Sequence, residues 1–272
     1  MDAGKYAAVL LVAGCANGFA VDVAAQWHQT GVASLLSSFG VSPLAFAIVA
    51  IGALVLAREA RFPDQAEIAP GAIIFCILTL IPSSFLSWVA LGIFAIWLAT
   101  MVKGRVRSAS LLFAGLAAIS VWAIIGEPRA ARVILPFDAA VTAALLAALH
   151  DTVVREGNIV GTASGHQIIV LASCSAFHVL PLALLGWRAM VLFDASQAGR
   201  ETNRNLALHA FALAAILLAL GYLRLVLMAW SPKTYAVAHG PWGSALFDCL
   251  LVLAVITVAH ATCAPRRGEL RA

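Results

Sequence analysis

Three side chains far apart in the sequence together carry the chemistry of an acyl transfer. Cys174 offers a thiol, Arg224 a guanidinium and His239 an imidazole. A thiol attacks carbonyls as its thiolate, a form favoured at a helix N-terminus or beside a cation. A fixed cation stabilises the oxyanion that develops during attack, and an imidazole carries protons to and from the departing and entering groups. Cys174 opens an apolar run, and Ser173 is placed to cap a helix there, which sets Cys174 in its first turn. Arg224 lies six residues before Trp230 at the end of another run, about 9 Å below that end at 1.5 Å per residue. An arginine at that depth needs a partner or a wet cavity. His239 falls in the short loop SPKTYAVAHGPWG ahead of the last apolar run.

Each residue also has an ordinary reading. Cys174 alone is a small helix residue, Arg224 a lock to Asp248 or to backbone carbonyls, and His239 an interfacial loop histidine. His178, one turn after Cys174 on the same helical face, is a second candidate for the proton carrier, and His166 a third. His150, His209 and His260 read as helix-end or packing residues. Asp248, one turn into the last apolar run, is expected to orient Arg224 or His239. Asp22 and Asp138 are acids without an assigned role.

The elements that must position these groups are membrane spans. The 272 residues are 62% hydrophobic and 11% charged, beyond an ordinary soluble domain. No basic cluster alternates with aromatics and no glycine-rich phosphate loop follows a strand, so no nucleic-acid partner is expected. Cys15, Cys76, Cys174, Cys249 and Cys263 lack CxxC or Cys/His ligand spacing, so neither a metal, a cofactor nor a disulfide framework is implied.

A span needs about 17–25 mostly apolar residues. Such runs fall at roughly 6–24, 42–57, 68–82, 84–102, 109–125, 173–193, 206–230 and 243–263, with Pro82-Ser83-Ser84 as a tight turn between the third and fourth. Residues 133–149 are apolar enough to cross but carry Pro136 and Asp138. Charge asymmetry arbitrates. If 133–149 stays at the outer surface, the inside holds Lys5, Arg58, Arg61, Lys103, Arg105, Arg107, Arg188, Arg200, Arg204, Arg266, Arg267 and Arg271. The outside holds Arg129, Arg132, Arg155, Arg224 and Lys233, a split of 12 against 5 that accounts for all 17. If 133–149 crosses, the split becomes 8 against 9. The expected architecture is therefore an all-α polytopic membrane protein with eight transmembrane helices in a single membrane domain. Five spans occupy 1–125, an outer interfacial helix and small hairpin 126–172, three spans 173–263 and a cytoplasmic tail 264–272, with both termini cytoplasmic.

Two local segments refine this. Val12-Ala13-Gly14-Cys15 resembles a lipoprotein cleavage box, but Asp2 and the many following spans favour Cys15 as a small core residue. Residues 151–167, DTVVREGNIVGTASGHQ, alternate β-branched stretches with Gly, Asn and Ser and read as a hairpin turning near Glu156-Gly157-Asn158.

The stretch VVREGNIVGTASGHQIIVLASCSAFHVLPLALLGW (153–187), with LGYLRLVLMAW and AHGPWGSALF downstream, resembles the exosortase/archaeosortase family. The resemblance covers about 130–250; before 105 only hydropathy agrees. It implies a membrane cysteine protease or transpeptidase that cuts C-terminal sorting tails from exported proteins, with Cys174 as nucleophile, Arg224 as the arginine and His239 as the histidine. The chain departs from the family pattern nearby. Cys-Ser-Gly reads Cys174-Ser175-Ala176, the following Leu-Arg reads Phe177-His178, and the Asn often found three residues before the arginine is Gly221. This marks a divergent member. Partners would be the lipid bilayer and an exported substrate with a C-terminal transmembrane tail, at the inner membrane with the site facing outward. Two other classes stay open. A small-solute transporter would cluster its working residues mid-bilayer, and in a non-catalytic subunit of an envelope polysaccharide system Cys174→Ser would be silent.

Overall fold

The computed structural model describes residues 2–31, 41–59, 62–81, 83–149, 152–162, 165–198 and 205–263. Arg61, Pro82, His150, Arg200, Arg204 and the 264–272 tail lie outside them. Ten α-helices are formed among the described residues: α1 (Ala3–Thr30), α2 (Pro43–Arg58), α3 (Gln65–Thr79), α4 (Ser84–Met101), α5 (Gly104–Val121), α6 (Glu127–Ala147), α7 (Leu180–Ala198), α8 (Leu206–Trp230), α9 (Pro232–His239) and α10 (Pro241–Cys263). Three short strands, β1 (Val153–Glu156), β2 (Ile159–Thr162) and β3 (Gln167–Ile169), lie between α6 and α7.

Each of the eight apolar runs has a helix on it. Five helical stretches are long and apolar enough to cross a membrane: Ala3–Gln29, Ser84–Met101, Gly104–Ala147, Leu206–Trp230 and Trp242–Cys263. Helices Pro43–Arg58 and Ala66–Thr79 are apolar but shorter, and α7 carries Arg188 and Asp194. Apolar side chains face outward along these helices; Ile73, Ile74 and Ile77 of α3 each stay more than half exposed. Water penalises so continuous an apolar surface, and lipid does not.

Two departures from expectation concern 104–172. A π-helical turn, Trp122–Gly126, joins α5 to α6, so helix runs unbroken over the 44 residues Gly104–Ala147. The hairpin gains a third strand. The sheet is antiparallel in order β1-β2-β3, with Val160 opposite Ile168. Gly157, at φ 57°, supplies the left-handed residue of the β1–β2 turn.

The chain forms two compact units. The first comprises Met1–Ile124, Leu185–Arg204 and Thr262–Ala272. In it α4 packs on α1, α3 and α5, and α2 on α1 and α5. Glycines make room for aromatic rings: a Cβ on Gly18 would sit 2.6 Å from Trp88, one on Gly52 2.6 Å from Phe113, and one on Gly71 2.3 Å from Trp97. Such close approach is how helices associate where lipid supplies no hydrophobic drive. Asn17 adds a polar tie, donating to Ser87 Oγ at 2.8 Å and to the Thr79 carbonyl at 3.0 Å. Cys15 is buried in α1.

The second unit comprises Ile125–Leu184 and Asn205–Ala261. Here α6 and α8 pack on each other and on the sheet. Ala139 and Leu146 of α6, Val160 and Ile168 of the sheet, Val170, and Leu225, Val226, Met228 and Ala229 of α8 form its core together with Ala238 of α9.

Candidate active site

All the candidate side chains belong to the second unit. After β3 the chain is tied to the hairpin by a reciprocal pair: Val170 N–H donates to the Asn158 carbonyl at 2.9 Å, and Asn158 Nδ2 donates to the Val170 carbonyl at 3.0 Å. The next residues turn tightly. Ala172–Cys174 is a single 3-10 turn, in which Cys174 N–H donates to Leu171 O and Ser175 N–H to Ala172 O. A further turn closes with His178 N–H on Ser175 O at 3.1 Å, and α7 begins only at Leu180.

This corrects the expected placement of Cys174. Ser173 caps no α-helix and Cys174 is not in a first helical turn; the apolar letters IIVLAS continue the sheet and its exit. Pro181, in the first turn of α7, was the signal for the true start. Ser173 therefore gives the thiol no α-helix terminus. Cys174 is half-buried and packs against the core of the unit.

Arg224 sits in α8 among Tyr222, Leu225 and Leu227, which also line that core. Its Nη2 donates to Ser244 Oγ of α10 at 3.0 Å, and its guanidinium carbon lies 5.6 Å from the centre of the Phe247 ring. Its Nε is buried without a hydrogen-bond partner among the described residues. Ser244 Oγ in turn donates to the His239 carbonyl at 3.4 Å, so Ser244 joins the arginine's environment to the end of α9. Asp248, expected to orient Arg224 or His239, is exposed; the charge of Arg224 acts on it, without an ion pair among the described residues.

His239 ends a helix where a loop was expected. Ser231 and Thr234 form a reciprocal capping box and Pro232 opens α9, a start signal legible in the sequence. Two glycines make the corner into α10: a Cβ on Gly240 would lie 2.4 Å from Ala236 O, and one on Gly243 1.9 Å from Val237 O. The exposed His239 ring lies 5.0 Å from that of Tyr235, which meets His166 at 5.9 Å. His166 Nε2 sits 2.9 Å from the Met228 carbonyl and must carry the proton there.

His178 is not on a helix with Cys174; one tight turn, Ser175–His178, separates them. Its Nδ1 lies 3.0 Å from Glu127 Oε1, at the start of α6. A carboxylate accepts only, so Nδ1 donates and Nε2 of the neutral ring is left as the basic nitrogen. A carboxylate so placed fixes the orientation and tautomer of the imidazole.

The least expected group is Asp138. It is completely buried in α6, where it accepts from Ser175 Oγ at 2.6 Å and from Tyr222 O–H at 3.0 Å. Ser175 Oγ also accepts from Phe177 N–H at 3.2 Å. The turn bearing Cys174 is thus fastened to α6, and α6 to α8 two residues from Arg224. Nearby, a Cβ on Gly221 would come within 2.9 Å of Ala176 Cα and Cβ, so the turn rests directly on α8.

Cys174 packs on the unit's core, and Arg224 is linked through Ser244 to the His239 backbone. Among the described residues no hydrogen bond or ion pair joins the three side chains. No family model, no curated protein and no solved structure matches the chain.

Proposed function

We propose that this chain is a membrane-embedded cysteine transpeptidase or protease of the exosortase/archaeosortase kind, releasing C-terminal transmembrane tails from exported proteins at the outer membrane face. The observation that carries the reading is the convergence of the Cys174 turn, the Arg224 helix and the His239 helix on one core. The two departures at Ala176 and Gly221 also support it, because they touch each other: the methyl added at one position is accommodated by the side chain missing at the other. With 133–149 kept on the outer side, the charge split of 12 to 5 favours cytoplasmic termini and an outward site.

In the reaction, Cys174 Sγ attacks the carbonyl carbon of the scissile peptide bond. Arg224 stabilises the thiolate and then the oxyanion. The C–N bond breaks, the departing amine takes a proton from an imidazolium, and the acyl group stays on sulfur as a thioester. Water, an amine or a hydroxyl then attacks the thioester, gives its proton to the imidazole and releases the thiolate. Of the two imidazoles, His178 is favoured for the proton work by its contact with Glu127. His239 then serves at the corner that carries Ser244.

A membrane-impermeant thiol reagent applied from outside, with cysteines mapped by mass spectrometry, tests the placement. Cys174 should react ahead of Cys15, Cys76, Cys249 and Cys263, and a cysteine at Gly157 should react from the same side. Labelling of the Gly157→Cys variant only from the cytoplasmic side would overturn the reading.

A further inference from the structure

We propose that Asp138 is the positioning residue of the site, a buried tether that holds the Cys174 turn in register with the helix carrying Arg224. The proposal rests on the reading of Cys174 as the nucleophile. Its basis is a set of contacts from three elements: α6 supplies the carboxyl group, the turn supplies Ser175 directly after Cys174, and α8 supplies Tyr222 two residues before Arg224. Two residues are about 200° around a helix, so Tyr222 is held by α6 while Arg224 is free to face α10, where Ser244 and Phe247 receive it. One carboxyl group thereby sets both the height of the turn and the rotation of α8.

The alternative is that Asp138 serves the core alone. A buried carboxyl group gives no packing advantage over an aliphatic side chain of the same volume. Its neighbours Ala139 and Leu146 already supply that packing. The ring of Phe137, beside it in sequence, also meets Phe177 of the turn at 6.1 Å. The polar group is thus placed where it restricts the turn.

The test uses the full chain in native membranes, with Glu156→Cys as an exposed reporter in β1 and an impermeant maleimide as the probe. Asp138→Asn and Ser175→Ala should each raise labelling of Cys174 relative to the thiol at position 156 by about fivefold, the scale of coupling between residues in contact. The same variants should lower release of a C-terminal tail by roughly 10- to 100-fold, as expected when a reacting group is displaced by about an ångström. A thiol that becomes more accessible yet less active is the signature of a lost tether. Tyr222→Phe should show the same pattern more weakly, and the Asp138→Asn/Ser175→Ala pair should be no worse than Asp138→Asn alone. Unchanged labelling of Cys174 in Asp138→Asn would overturn the proposal. So would a parallel rise at Cys15, which would assign Asp138 to the global fold. If Cys174→Ala still releases the tail, the catalytic reading fails while the labelling arm still reports on the tether.

Discussion

In the unit built from α1–α5, the rings of Trp88, Phe113 and Trp97 lie against the bare backbones of Gly18, Gly52 and Gly71. In the unit built around α6 and α8, buried polar atoms meet one another: Asp138 with Ser175 and Tyr222, Arg224 with Ser244, and His178 with Glu127 at the margin. The first arrangement is sufficient for helix association in lipid. The second is costly, since burying a polar group without its bond costs about 2–7 kcal/mol. Polar groups kept under that penalty mark where a membrane protein works. The first unit is packed mainly by shape, with Asn17–Ser87 and Trp187–Thr262 as polar ties, whereas in the second the ionisable groups Asp138 and Arg224 are hydrogen-bonded, and substitutions in the two units should fail differently.

The largest effect short of removing the thiol belongs to Arg224. Arg224→Ala should slow tail release by roughly 10²–10³-fold, the scale of a lost oxyanion donor. Lysine should replace it poorly, because a point charge cannot both donate to Ser244 and stack on Phe247. The histidines come next. His178→Ala should cost about 10²-fold, while His239→Ala should be milder. Measured rates of tail release with the opposite ordering would move the base to His239. A smaller effect is expected at the contact between the turn and α8. Gly221→Ala should cost about tenfold in rate, and Ala176→Gly in the same chain should restore it. Failure of that rescue would break the complementarity of the two positions. Smallest for the chemistry is Gly18→Leu in the first unit. It should cost about 1–3 kcal/mol in stability by overpacking Trp88, read as a lower Tm, with the rate per folded molecule unchanged.

The helices were legible because a bilayer demands long apolar runs, and each run carries a helix. Where that demand lapses, the reading weakened. β3 has only three residues, too few for period-two alternation to register. The span expected from 173 begins as a helix only at Leu180, because a short apolar stretch does not distinguish the exit of a strand from a buried helix. The capping box at Ser231 and Thr234 and the proline at 181 were present in the letters and would have corrected both α9 and α7. The Asp138 network was not readable at all. Its partners lie 37 and 84 residues away, and only the packing of α6 on α8 brings them together. Likewise the contact of Glu127 with His178 spans 51 residues, which is why the histidine near the thiol ranked behind the one near the arginine.

The central claim is that Cys174 is a nucleophile acting on exported proteins with C-terminal transmembrane tails. The direct measurement is the C-terminal sequence of such proteins, determined by mass spectrometry from cells carrying the wild-type chain and from cells carrying Cys174→Ala at equal membrane abundance. The expected result is a set of proteins that lose their tails only with the wild-type chain and keep them intact with the variant. Identical C-termini in both would contradict the account.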